Sequence, residues 1–152
     1  MKQFSLRRTI RFAGVLCVAA AVVISGCLKS TEPKPSLLQL NGTWNYTGAQ
    51  TGPIPETLVG TLTISSESGM SFQGRLDLVG TNTQTGQTRV LGGLVSGSES
   101  VTDVIDFDAS LEMSNRRHVG QLVADTITGT WVGEGSGGAT TSGTFRVERD
   151  SK

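Results

Sequence analysis

The feature that most constrains this chain is a period-two alternation of apolar and polar residues, which recurs from Leu38 onward. Successive side chains of a β-strand point to opposite faces, so this alternation indicates strands with one buried face. No window in this region has the 3.6-residue period of a helix, and glycine-, serine- and asparagine-rich turns separate the alternating segments. Eight strands are predicted, at about 39–48, 57–65, 70–79, 87–96, 101–111, 115–124, 126–134 and 140–149.

The aromatic residues of this region all fall on the apolar face of their strands. They are Trp44, Tyr46, Phe72, Phe107, Trp131 and Phe145. If the apolar face surrounds a ligand, the first five of these residues are the candidate ligand-binding residues. Only the fourth strand is ambiguous, since Val90 and Leu94 lie on one side and Leu91 and Val95 on the other.

Eight antiparallel strands can close into a barrel whose interior is filled by side chains or holds one small ligand. Closure also removes the exposed edges of the sheet. We therefore predict an all-β fold, an antiparallel up-and-down barrel of about eight strands, with a β-sandwich as the alternative. Glycines recur on the apolar face, and they either leave the interior underfilled or give room to large neighbouring side chains.

A short motif in the first strand resembles the opening of lipocalins and related calycin barrels. Gly42-Thr43-Trp44 matches their Gly-x-Trp motif. The resemblance implies that an arginine near the last strand, Arg146 or Arg149, packs over the tryptophan. Avidins share the glycine–tryptophan opening, but Tyr46 stands where their biotin-contacting asparagine would be, so biotin binding is not implied.

The N-terminal region has the signature of an exported protein. Four basic residues precede an apolar run over 12–24, which is shorter than the ~20 residues of a membrane-spanning helix. Residues 24–27, Ile-Ser-Gly-Cys, resemble the lipobox of bacterial lipoproteins. The resemblance implies cleavage after Gly26, a diacylglycerol on the thiol of Cys27, and a further acyl chain such as palmitate on the new amino group.

We therefore expect three segments: a signal peptide over 1–26, a lipidated cysteine with an extended tether over 27–37, and a barrel domain over 38–152. Two prolines favour an extended tether. Two or three acyl chains hold a protein stably on a bilayer, so the expected partner is a membrane, reached through lipid on Cys27. Because Leu28 rather than aspartate follows the cysteine, the lipoprotein resemblance favours the outer membrane over the inner membrane of the cell envelope.

Charge and cysteine content limit the function classes. Removing residues 1–26 removes four of the 13 lysines and arginines and none of the 13 acidic residues, which leaves a net charge of −4. That balance opposes a nucleic-acid partner, since nucleic-acid binding needs a basic footprint. The only other cysteine, Cys17, lies in the signal segment, so the mature chain has no intrachain disulfide and depends on its apolar core.

Three constellations are candidate sites of chemistry. His118 could serve a Ser-His-Asp triad, but it follows two arginines at a strand entrance, and we predict a solvated turn residue. Asp106 and Asp108 share a face, with Asp103 on the other, but they lack the Ca²⁺-loop pattern, so we predict a solvated outer face and no metal. Residues 133–138 contain Gly-x-Gly-x-x-Gly, which here precedes a strand and predicts a hairpin loop rather than a dinucleotide site.

The interpretation that these features favour is a non-enzymatic binding module without a cofactor, which takes up a small apolar ligand or docks an envelope protein. The alternative is a structural or interaction lipoprotein with a packed core and no lumenal ligand. An enzyme is disfavoured because no catalytic constellation is present. An integral outer-membrane barrel would turn its apolar face to lipid, and the lipobox and sparse aromatic residues oppose it.

Overall fold

The computed structural model describes residues 39–112, 114–135 and 138–150. These residues form a closed antiparallel barrel in which each strand pairs with the next and the last pairs with the first. The strands are β1 (Gly42–Gly52), β2 (Glu56–Ser68), β3 (Ser71–Asn82), β4 (Thr88–Glu99), β5 (Val104–Leu111), β6 (Ser114–Val123), β7 (Thr126–Glu134) and β8 (Thr140–Arg149). Cys27, the predicted signal peptide and the predicted tether lie outside the described residues.

Pairing between β1 and β8 decides between the barrel and the sandwich in favour of the barrel. The two strands are in register from Trp44 opposite Arg149 to Gln50 opposite Gly143. A Cβ on Gly143 would lie 2.0 Å from the backbone oxygen of Ala49 and 2.7 Å from the ring of Trp131. At this seam, glycine is therefore required by the close approach of the neighbouring strand and by the bulk of the indole.

The predicted apolar faces all point into the barrel. The buried hydrophobic residues are Leu40, Trp44, Tyr46, Leu58, Leu62, Ile64, Phe72, Leu76, Leu78, Leu91, Val95, Ile105, Phe107, Ala109, Leu111, Leu122, Ile127, Trp131, Phe145 and Val147. The ambiguous fourth strand turns Leu91 and Val95 inward, while Val90 and Leu94 are 76% and 70% exposed. The period-two rule thus holds through β4, and its second apolar face lies on the outer surface.

Strand boundaries differ from the predicted ones by a few residues. β1 begins at Gly42 rather than at 39 and continues to Gly52 rather than ending at 48. Its extension is paired on both sides, with Gln50 opposite Glu56 of β2 and Gly52 opposite Ser142 of β8. Tertiary pairing therefore lengthens the strand past the point where the apolar alternation fades.

One end of the barrel is closed around Trp44. Its indole Nε1 donates to the backbone oxygen of Leu40 at 2.9 Å, and the Arg149 guanidinium lies 4.3 Å from the centre of its ring system. Arg149 is thus the arginine that covers the tryptophan, whereas Arg146 pairs with Glu148 on the outer surface. Within the described residues, no helix is long and apolar enough to span a membrane.

Candidate functional site

The opposite end of the barrel opens into a cavity of about 260 Å³, which we call the mouth cavity. It lies where β1 leads to β2, β3 to β4, β5 to β6 and β7 to β8. The residues that line it are Gln50, Pro53, Ile54, Glu56, Asn82, Gln87, Thr88, Arg89, Ser114, Arg116, Gly135, Ala139 and Thr141. Most of them carry polar side chains, so this end of the barrel can hold hydrogen-bonding groups as well as apolar ones.

An ion pair spans the wall of the mouth cavity. Arg89 of β4 donates to the carboxylate of Glu56 of β2 through Nε at 2.9 Å and through Nη2 at 2.6 Å. The Glu56 carboxylate is almost completely buried, while the Arg89 side chain is about one-third exposed. Each charge therefore has its partner, and the two-point contact fixes the orientation of both side chains.

Arg116 of β6 forms the floor of the mouth cavity. It is 1% exposed, its Nη2 donates to Gln50 Oε1 at 3.3 Å, and its guanidinium lies 4.1 Å from the centre of the Trp131 ring system. Its Nε and Nη1 atoms have no hydrogen-bond partner among the described residues. Burial lowers the pKa of Arg116, but a guanidinium stays protonated in proteins. The floor is therefore a buried cation that Gln50 and Trp131 hold in position and that has two nitrogens without a hydrogen-bond partner in the part of the chain that the structure describes.

His118 lies deeper in the same strand and is fully buried, so the prediction of a solvated turn residue was wrong. Its ring stacks on Phe107 at 4.4 Å, and its Nε2 lies 3.3 Å from the hydroxyl of Tyr46. Burial lowers the pKa of His118 to about 3 and raises the pKa of Tyr46. Both side chains are consequently uncharged at neutral pH. Within the described residues, the hydroxyl that lies within hydrogen-bond distance of the His118 ring is the phenol of Tyr46 and not a serine hydroxyl.

The period-two spacing of the sequence indicated this burial, although the hydrophobicity of the residues did not. Arg116, His118, Gly120 and Leu122 share one face of β6, and Leu122 is a core residue. Alternation alone would have placed the arginine and the histidine on the inner face. The position of His118 after two arginines instead suggested a solvated turn residue, because charged residues are seldom fully buried.

The five aromatic residues predicted to contact a ligand, Trp44, Tyr46, Phe72, Phe107 and Trp131, all belong to the buried core. None of them lines the mouth cavity, whose walls come from residues nearer the strand ends. Tyr46 contacts His118 of β6, and Trp131 contacts Arg116 of the same strand. These two aromatic residues therefore support the floor of the cavity from below.

The acidic residues lie on the outer face that the sequence predicted. The predicted hairpin loop over 133–138, in contrast, begins later, because Gly133 and Glu134 belong to β7, and residues 136–137 lie outside the described residues. Asp106 and Asp108 are on the outer face of β5, and Asp106 accepts a 2.6 Å hydrogen bond from Arg117, which lowers the pKa of that carboxyl. No group of three candidate metal ligands occurs in the described parts of the chain. Gly135 donates its backbone N–H to Ala139 at 2.7 Å in the connection from β7 to β8, a hairpin.

The barrel resembles several solved structures. EF1p2_mFAP2b bound to DFHBI matches with a TM-score of 0.60 and 16% identity, over 73% of this chain and 94% of that chain. The redesigned barrel mFAP0 bound to DFHBI matches with a TM-score of 0.53 and 18% identity, over 72% and 98%. A de novo designed fluorescence-activating barrel matches with a TM-score of 0.52 and 15% identity, over 72% and 93%. At these identities the likeness shows the fold alone, and comparisons with protein-family models and with curated proteins find no match.

Proposed function

We propose that the barrel is a non-enzymatic binding module that takes up a small amphipathic ligand in its mouth cavity. The observation that carries this proposal is the cavity itself, about 260 Å³ at one end of a closed barrel, with a buried polar floor. Ligand sites combine apolar walls with a few convergent polar groups, and Pro53, Ile54 and Ala139 supply apolar surface beside the charged residues. Two barrels of the same fold bind the small molecule DFHBI.

We assign the ligand to the mouth cavity rather than to the centre of the barrel, because aromatic side chains fill the interior below the cavity. Tyr46, Phe107, His118 and Phe145 contact one another through their rings, with centroids 4.4 to 6.1 Å apart. This packing also supports the second candidate, a structural or interaction lipoprotein without a lumenal ligand. The two candidates differ in whether the mouth cavity binds anything.

Blocking the cavity separates the two candidates. Ser114→Trp places a large side chain at the mouth, and Ser110→Trp places the same side chain on the outer face of β5, as a matched control. Thermal-shift and calorimetric measurements on the purified full-length protein would use octanoate, octan-1-ol and DFHBI. We expect at least one compound to bind the wild type and the control but not Ser114→Trp. Binding by none of them, or equal binding by both variants, would favour the packed-core alternative.

We further propose that the protein is a lipoprotein of the cell envelope, in the outer rather than the inner membrane. The support is the lipobox-like sequence that ends at Cys27. Metabolic labelling with radioactive palmitate should mark the wild type, and Cys27→Ser should abolish both the label and membrane retention. Cys17→Ser is the control, since that residue lies in the segment expected to be removed. Persistent label in Cys27→Ser, or an unlabelled wild type, would refute the lipid anchor.

A further inference from the structure

The arginines of the barrel differ in one respect. Residues 39–150 contain six arginines and no lysine. Five of the arginines form a salt bridge with a carboxylate: Arg75, Arg89, Arg117, Arg146 and Arg149. Arg116 is more deeply buried than these five, yet no carboxylate of the described residues lies within salt-bridge distance of it. The arginine that most needs a counter-charge is therefore the one without it.

A buried cation without a counter-ion is costly, because burial removes water that no protein group replaces. The two unpartnered nitrogens of Arg116, Nε and Nη1, add donors that a buried site normally satisfies. Ser114 Oγ, another buried polar atom that lines the mouth cavity, also lacks a partner among the described residues. Such unpaired donors at the floor of a cavity fit an acceptor supplied from outside the chain.

We propose that the mouth cavity binds the carboxylate of a small amphipathic acid, with the Arg116 guanidinium as its counter-charge and Ser114 as a further donor. This inference rests on the proposed function and names its ligand class. Guanidinium groups suit carboxylates because both are planar and the hydrogen bonds are charge-assisted. The apolar part of the acid would lie toward Pro53 and Ile54, on the wall nearer to solvent.

The charges around the cavity favour a single negative charge on the ligand. The charged residues among its lining are Glu56, Arg89 and Arg116, which together carry one net positive charge. Glu56 is held by two hydrogen bonds from Arg89 and forms no salt bridge with Arg116. Besides burial, which lowers the pKa of Arg116 most, Arg89 lowers that pKa and Glu56 raises it, so the two groups act on Arg116 in opposite directions. A monoanion completes the balance, whereas a dianion such as a phosphate monoester would add a second charge close to the Glu56 carboxylate.

The groups beneath the floor do not compete for the anion. Tyr46 and His118 are uncharged at neutral pH, since burial raises the pKa of the first and lowers the pKa of the second. Gln50 and Trp131 hold the guanidinium in place, through a hydrogen bond and through ring stacking. Arg116 is therefore fixed in position before a ligand arrives, which lowers the entropic cost of binding.

The experiment compares two probes that share an eight-carbon chain and differ in the head group, a carboxylate in octanoate and a hydroxyl in octan-1-ol, by calorimetry on the full-length protein. We expect the wild type to bind octanoate at least about tenfold more tightly than octan-1-ol. Arg116→Met, which keeps an unbranched apolar stem and removes the guanidinium charge, should abolish this preference. Arg75→Met, which removes a paired arginine on the outer face, should preserve it.

Three outcomes would overturn the proposal, and they can be told apart. Equal affinity of the wild type for both probes would remove the carboxylate assignment but leave a binding barrel. Retention of the preference by Arg116→Met would assign it to another residue. Binding of neither probe would remove this inference, and the proposed function would fail as well if DFHBI did not bind or if it bound Ser114→Trp and Ser110→Trp equally. The comparison of probes on the wild type decides even if Arg116→Met does not fold.

Discussion

Each end of the barrel contains an arginine that lies over a buried tryptophan. The two arginines differ in how many of their hydrogen-bond donors have partners. At the closed end, Arg149 lies over Trp44, donates to Asp125 Oδ1 at 3.1 Å, and also donates to the backbone oxygens of Asn41 and Gln39. At the open end, Arg116 lies over Trp131, and the hydrogen bond to Gln50 is the only one that its side chain makes in the described part of the chain. The Arg149 side chain is 30% exposed, whereas Arg116 is 1% exposed.

This difference separates a structural element from a candidate binding element. The closed end joins the residues before β1 to the end of β8 and satisfies the donors of its arginine. The open end buries an arginine that has no salt bridge within the described residues and two unpartnered nitrogens, and it does so beside a cavity. A stacked arginine therefore does not by itself indicate stabilisation, because its contribution depends on where its hydrogen bonds go.

The largest effect is expected at the closed end, from Trp44→Ala. Trp44 is completely buried, and the substitution leaves a void that the surrounding strands cannot fill. We expect a loss of about 3–5 kcal/mol in the free energy of unfolding. Chemical denaturation measures it. A change close to zero would mean that the closed end does not hold the barrel together and is not the structural end of the molecule.

Acidification tests the layer below the open end, because the pKa of His118 falls from 6.5 to about 3 in the folded state. Between these values the unfolded chain binds a proton that the folded chain does not, so stability is lost as the pH falls below 6.5. The loss should approach 1.4 kcal/mol per pH unit, roughly. Denaturation curves from pH 7 to pH 4 would show it.

His118→Gln should make this acid dependence shallower, since the substituted side chain does not titrate in that range. The pKa of Asp106 is lowered, mainly by its hydrogen bond to Arg117, so its contribution to the free energy of unfolding also falls on acidification. That contribution is the same in the wild type and in His118→Gln. The difference between the two pH profiles therefore reports His118. Parallel profiles would show that His118 is not buried as a neutral ring.

Removing the satisfied arginine should have a moderate effect. Arg149→Met loses the stacking on Trp44, the ion pair with Asp125 and the backbone hydrogen bonds. We expect a loss of about 1–2 kcal/mol, measured by chemical denaturation. Arg146→Met is the matched control on the same strand, because its ion pair with Glu148 is exposed and should contribute little. Equal losses in the two variants would contradict a special role for Arg149.

The smallest effect on stability is expected from the unsatisfied arginine. Arg116→Met removes a buried charge without a salt-bridge partner and replaces it with a shorter apolar side chain. Such replacements are often neutral or stabilising, so we expect a change within about 1 kcal/mol or a gain. Thermal and chemical denaturation would measure it without ligand. A loss as large as that of Arg149→Met would show that both stacks are structural and that the two ends do not differ.

Much of the fold follows from the sequence alone. The alternation from β1 to β8 set the number of strands, and it placed Trp44, Phe107 and Trp131 inside, because side-chain direction in a strand is a local property with a fixed period. The motif at Gly42 also led to an arginine over Trp44, with Arg149 as one of two choices. In these cases the local pattern and the hydrophobic effect point to the same arrangement.

Only the tertiary structure decided which arginine covers Trp44, whether the sheet closes, and what lies at the open end. Closure depends on pairing between β1 and β8, whose residues are about a hundred positions apart in sequence, as with Tyr46 and Val147. Burial of Arg116 and His118 depends on how the other strands surround them. Hydrophobicity assigns such side chains to the surface, because it ranks each residue by its own solvation and not by the neighbours that a closed barrel brings to it.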